Sequence, residues 1–192
     1  MLLHRRDRPR LGRAARLRSA PSTQGAVAGL TSAEIEGVFD GLFERSHRTR
    51  LVGGGDEPLY VPPTGDRLGR IVYRADYPAS ALHEVAHWCV AGAARRDLED
   101  YGYWYAPDGR TEQQQGEFER VEVAPQALES VLADAAGVRF VPSADNVEAG
   151  VGPSVGFLSA LAQRKEDLLA GALRGRALRM QIALALERAK KG

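Results

Sequence analysis

His83, Glu84 and His87 form the pattern H-E-x-x-H inside the run ALHEVAHWCVAG. On an α-helix, positions i and i+4 lie only about 40° apart around the axis. Both imidazoles then leave one face and can reach the same cation. Glu84 projects from the neighbouring edge, close enough to act on a ligand of that cation. Two neutral imidazoles with one carboxylate from elsewhere suit zinc, or iron(II) with open positions. Two of the chain's four histidines fall at this spacing, which weakens the plainer reading of a helix carrying two solvated or core histidines.

The third ligand must come from another element. Residues 111–124, TEQQQGEFERVEVA, are rich in acids and amides. Pro125 then opens or kinks a helix, PQALESVLADAAG, that stops at Gly137. Glu117, Glu119 and Glu122 are all within reach. Glu122 fits best, just ahead of Leu128 and Val131, whose burial would pack this second helix on the first. Glu119 is one turn earlier on the same face and is the second choice.

Two further groups belong in the neighbourhood by chemistry. Asp56 and Glu57 are adjacent acids in the turn-rich loop GGGDEPLYVPPTGD, where they are either solvated surface or receivers of an ammonium group. Tyr103, Trp104 and Tyr105 fall in YGYWYAPDGR, which reads as a strand followed by a turn at Pro107-Asp108-Gly109. Such side chains serve either a core or a pocket wall, having apolar area and a polar tip.

The elements that must position these groups follow from periodicity. Ile35, Val38, Phe39 and Leu42 predict a helix from Thr31 to about Arg45, capped by Thr31 or Ser32. Arg50–Val52 has strand character until Gly53–Gly55 break it; Leu59–Val61 and Arg70–Tyr73 are short extended pieces. The metal helix is expected from Pro78 to Ala94 or beyond, with Cys89 as a small core residue. A short strand at Arg139–Val141 and a turn at Asp145-Asn146 are expected after Gly137. Packing helices over about 157–171 and 175–190 end the chain. The sum is an α+β fold: one compact domain over 30–192, mostly helical with a small sheet, with a zincin-like metal helix.

Composition bounds the function. The 192 residues are 44% hydrophobic and 27% charged, a globular balance, and the formal net charge of +1 does not argue for nucleic acid, so no specific nucleic-acid partner is expected. Seven arginines crowd residues 1–20 against the single acid Asp7, so 1–29 reads as a basic, disordered extension. One cysteine rules out an internal disulfide and suits a reducing compartment. No apolar run is long enough for a membrane span, and the N-terminus lacks a secretory apolar segment. The expected location is the cytoplasm.

The segment from Ala79 to Glu129, ASALHEVAHWCVAGAARRDLEDYGYWYAPDGRTEQQQGEFERVEVAPQALE, resembles the elongation factor P hydroxylase family. TRLVGGGDEPLYVP at 49–62, RIVY and SADN at 143–146 fit it too. The resemblance covers roughly 31–190 and leaves the basic arm outside. It implies hydroxylation of the β-lysylated lysine of translation elongation factor P to a 5-hydroxylysine product, with dioxygen as co-substrate. It further implies non-haem iron(II) held by His83, His87 and a carboxylate, for which Glu122 is the choice, with zinc as a substitute metal. Glu84 would handle protons. Tyr103, Trp104 and Tyr105 would line the lysyl channel, and Asp56, Glu57 or Asp108 would pair with its amino groups.

Two rivals share the same residues. In a cytosolic zinc metallopeptidase, Glu84 would deprotonate a zinc-bound water. A non-catalytic binding protein would close the metal with four ligands.

Overall fold

A computed structural model describes residues 28–102, 110–144 and 152–192. The expectations for 1–27, for Tyr103, Trp104, Tyr105 and Asp108, and for the Asp145-Asn146 turn lie outside these residues.

The first helix, α1 (Ser32–His47), begins at a capping box: the Thr31 side chain accepts from the Glu34 amide, and the Glu34 carboxylate accepts from the Thr31 amide. Ile35, Phe39 and Phe43 form its buried stripe. Three strands follow, β1 (Thr49–Gly55), β2 (Leu59–Val61) and β3 (Gly69–Arg74), in the order β1-β3-β2. β3 runs parallel to β1 and antiparallel to β2. The glycines do not break β1 as expected. They carry the strand on through a register shift between Val52 and Gly55. Gly54 takes a φ of 88° there, and a Cβ at Gly53 would come within 2.6 Å of the Tyr73 hydroxyl oxygen.

The metal helix, α2 (Pro78–Val90), starts with Pro78 in its first turn and ends earlier than expected, at the C-cap Ala91. Gly92 then starts the short α3 (Ala93–Arg96). Its end is closed from far away: the Arg176 guanidinium donates to the carbonyls of Trp88, Cys89 and Ala91 at 3.3, 3.1 and 2.9 Å. The Arg96 guanidinium also donates to the Ala91 carbonyl, while those of Trp88 and Cys89 belong to the last turn, where a helix offers no donor of its own. Glu99–Gly102 forms a 3-10 turn. Asp100, Tyr101 and Gly102 all take left-handed φ values of 45°, 59° and 68°. Non-glycine residues rarely adopt this region.

α4 (Glu112–Ala136) is one helix of 25 residues, so Pro125, expected either to open or to kink a helix, lies inside it. Thr111 and Gln114 form a second capping box that sets the start, and Gly137 ends it in the left-handed region as expected. Pro125 costs the helix one backbone hydrogen bond. That loss is outweighed by burial, since α4 packs on α2, α5 and α6 and buries Leu128, Val131, Leu132 and Ala136. Arg139–Val141 is irregular rather than a strand.

The helix α5 (Val155–Asp167) runs into a wider π-type turn, Leu168–Ala172, before α6 (Gly175–Ala189). Met180 and Leu184 of α6 are fully buried. The core joins the α1 stripe, the sheet's inner face, Ala81, Leu82, Val85 and Trp88 of α2, and α4. Trp88 sits centrally, with Phe39 and Phe43 ring centroids at 5.1 and 4.9 Å. The architecture is mostly helical with a small three-stranded sheet, and among the described residues no helix is long and apolar enough to cross a membrane.

Candidate metal centre

α2 and α4 pack face to face, and each turns a polar stripe to the other. On α2 the stripe is His83 and His87, whose Nε2 atoms lie 3.1 Å apart. On α4 it includes Glu122, with Oε1 3.4 Å from His87 Nε2 and Oε2 3.9 Å from His83 Nε2. Among the described residues, these three are the ones whose ligand atoms converge within 4.8 Å of one another. Atoms each about 2.1 Å from a common ion stand about 3.0–3.4 Å apart at octahedral or tetrahedral angles. The two shorter separations match that spacing, and the donor set of two imidazoles and a carboxylate fits zinc or iron(II).

A fourth side chain completes the setting. Glu129 Oε2 lies 2.8 Å from His83 Nδ1. A carboxylate there accepts the Nδ1 proton, which leaves the Nε2 lone pair free for a cation. Gln126 does the same service for Glu122: its Nε2 donates to Glu122 Oε2 at 3.2 Å and to the Ser143 carbonyl at 2.9 Å. Its Oε1 accepts from the Ser143 amide at 3.0 Å.

The acids around the two histidines favour positive charge here. Burial opposes a charge on His83. The hydrogen bond to Glu129 and the charges of Glu84, Glu129 and Glu122 outweigh it and raise the pKa to about 10. Burial likewise opposes ionisation of Glu122, yet the contact with His87 and the two imidazoles hold it down at about 2. Glu84 is pushed up by burial, which its histidine neighbours only partly offset. A carboxylate so tuned is suited to taking up and releasing a proton.

Glu119 is turned to a different task. It accepts from the Ser154 amide at 2.9 Å and from the Ser154 hydroxyl, and Ser154 is the N-cap of α5. Asp56 and Glu57 stand exposed between β1 and β2, with no hydrogen bond or ion pair to His83, His87 or Glu122. Cys89 packs against the core, and burial pushes its thiol up to about 12, so it stays protonated and inert.

Tyr101, in the left-handed turn, lies within electrostatic reach of Glu84. Its ring stacks on Tyr60 with centroids 4.5 Å apart and planes 9° apart. Asp100 Oδ1 accepts from the Tyr60 amide at 2.7 Å, which fixes the turn against β2. The Tyr101 hydroxyl is buried without a hydrogen-bond partner. Burial, and then the negative charge of Glu84, raise its pKa well above the ordinary tyrosine value.

Glu129 and Gln126 were not singled out by the sequence reading, though a signal existed. Gln115, Glu119, Glu122, Gln126 and Glu129 recur at alternating steps of four and three, a polar stripe along one helical face. A stripe of acids and amides that is buried must find partners.

Comparison with known proteins bears on the chemistry. A family model described as elongation factor P hydroxylase matches residues 38–189. The elongation factor P lysine hydroxylase of Haemophilus influenzae is 51% identical over 129 residues, covering 67% of this chain and 72% of that protein.

Proposed function

The chain belongs to the elongation factor P hydroxylase family, and from that premise we propose that it hydroxylates a lysine of elongation factor P. The metallopeptidase alternative is not favoured by this membership. The observation that carries the reading is the convergence of His83, His87 and Glu122 beside the half-buried Glu84, within the matched segment.

In detail, the substrate is the β-lysylated lysine, the product is 5-hydroxylysine, and the catalytic unit is residues 30–192. His83, His87 and Glu122 hold non-haem iron(II), with zinc as a substitute, on a zincin-like helix. When bound, iron(II) supplies the dioxygen chemistry needed to hydroxylate an unactivated carbon. Glu129 fixes the His83 tautomer, and Gln126 orients Glu122. Glu84 takes and returns protons at its carboxylate, a role supported by its raised pKa. Tyr103, Trp104 and Tyr105 line the approach, and Asp56, Glu57 or Asp108 meet the substrate's amino groups. Translation factors are modified where they work, so the cytoplasm is the proposed location.

The test is intact-mass spectrometry of β-lysylated elongation factor P incubated with this protein, iron(II), a reductant and air. A gain of about one oxygen atom, absent with Glu122→Ala, is the expected result. No gain with folded, iron-loaded protein overturns the reading.

A further inference from the structure

A cavity of about 390 Å³ opens beside His87. Val90, Ala93 and Ala94 form one wall, at the end of α2 and the start of α3; Val121 and Pro125 of α4 form the other. The size falls within the range of small-ligand sites, about 300–1,000 Å³. His87 belongs both to this cavity and to the candidate metal centre, so the cavity adjoins the centre.

The two α4 residues are four apart, and their pairing has a chemical consequence. In a helix the carbonyl of residue i points toward residue i+4 and accepts its N–H. Residue 125 is proline and has no N–H, so the Val121 carbonyl is left without its helical donor. Val121 is 38% exposed, and both residues lie on the cavity wall. A helix that runs on through a proline at this point thus leaves a spare acceptor beside an otherwise largely apolar cleft. The cation lining it, Arg95, is drawn to the Tyr101 carbonyl at 3.3 Å.

We propose that this cleft receives the aliphatic chain of the substrate's β-lysyl group, with the Val121 carbonyl freed by Pro125 accepting from one of its ammonium groups; the target lysine's own side-chain nitrogen is acylated and carries no such charge. The methylenes pack against Val90, Ala93 and Ala94. This assignment rests on the lysine hydroxylase reading for the identity of the amine.

Pro125→Ala restores an N–H to the Val121 carbonyl, and Ala94→Leu narrows the cleft without touching the metal residues. Binding of β-lysylated elongation factor P is measured by calorimetry on zinc-loaded protein, and turnover on iron-loaded protein. Each substitution is expected to weaken binding about ten-fold, the scale of one hydrogen bond to a charged group. Metal affinity, read by chelator competition, stays unchanged. Against elongation factor P with methionine at the target lysine, the Pro125→Ala effect disappears. Wild-type affinity in both variants overturns the cleft assignment, as does a Pro125→Ala effect that persists with the methionine substrate. Binding that responds to the variants without any turnover by the wild type overturns the hydroxylase reading instead and leaves the cleft standing.

Discussion

His83 and Glu129 stand 46 positions apart in the chain and meet at 2.8 Å, Nδ1 to Oε2. The contact spans the packed faces of α2 and α4 and determines which imidazole nitrogen is free. Glu129→Ala should lower affinity for iron(II) or zinc about 10–100-fold while the fold persists. Glu129→Gln keeps an acceptor oxygen and should lose less. Titration against a chelator of known affinity ranks the two, and equal affinity in wild type and Glu129→Ala would remove Glu129 from the site.

Glu119 and Glu122 are separated by one helical turn but serve different partners. Glu119→Ala should keep metal binding and hydroxylation. It should cost about 1–3 kcal/mol of stability, because the Ser154 donors lose their acceptor. Glu122→Ala should abolish both activities. Denaturant melts beside metal titrations separate the outcomes, and loss of metal in Glu119→Ala would reverse the assignment.

Binding of a cation should tie α2 to α4. Zinc at 100 times its dissociation constant should stabilise the protein by about 2.7 kcal/mol, seen as a rise in Tm. His83→Ala should lose most of that increment. An equal rise in the variant would mean that the ion binds elsewhere.

The hydroxyl of Tyr101 has no partner to lose. Tyr101→Phe should therefore leave stability unchanged or slightly raised, unlike most buried substitutions. A drop above about 1 kcal/mol in urea unfolding would show that the hydroxyl is satisfied in solution.

Lys191 joins the C-terminal end to the first helix through Glu34 at 2.6 Å. That bond, with those from the Thr31 amide and hydroxyl, lowers the Glu34 pKa from 4.5 to about 2. A depressed carboxylate contributes stability that is present above its unfolded pKa and lost as pH falls through the folded value. The contribution should fade from about pH 4.5 to 2 and shrink in salt, since the pair is at the surface. Glu34→Gln should flatten this part of the stability curve. An unchanged acid limb in the variant would assign the loss to other groups.

Local signals carried the elements near their true places. Thr31 with Glu34 marks the start of α1, Pro78 the start of α2, and Gly137 the end of α4. Pro125 left two readings open because a proline ordinarily bounds a helix, whereas packing on three neighbours holds α4 together through it. The glycines of β1 misled for a related reason. Their close approach to Tyr73 is a tertiary fact that strand propensity does not encode. At the centre, the spacing of His83 and His87 was legible from helix geometry alone. Glu129 was not, because a carboxylate's partner depends on how two distant helices rotate against each other.

Synthesis order gives the Arg176 clasp a further meaning. The ribosome delivers the chain from its N-terminus at about 5–20 residues per second. The carbonyls of Trp88, Cys89 and Ala91 emerge 85–88 residues before the guanidinium that closes them. Nascent α2 therefore leaves the ribosome with its Trp88 and Cys89 carbonyls open, and the histidine-bearing helix is closed only once Arg176 has emerged. Premature termination before residue 176 would strip the seal from α2 while leaving all four of His83, His87, Glu122 and Glu129 in the product.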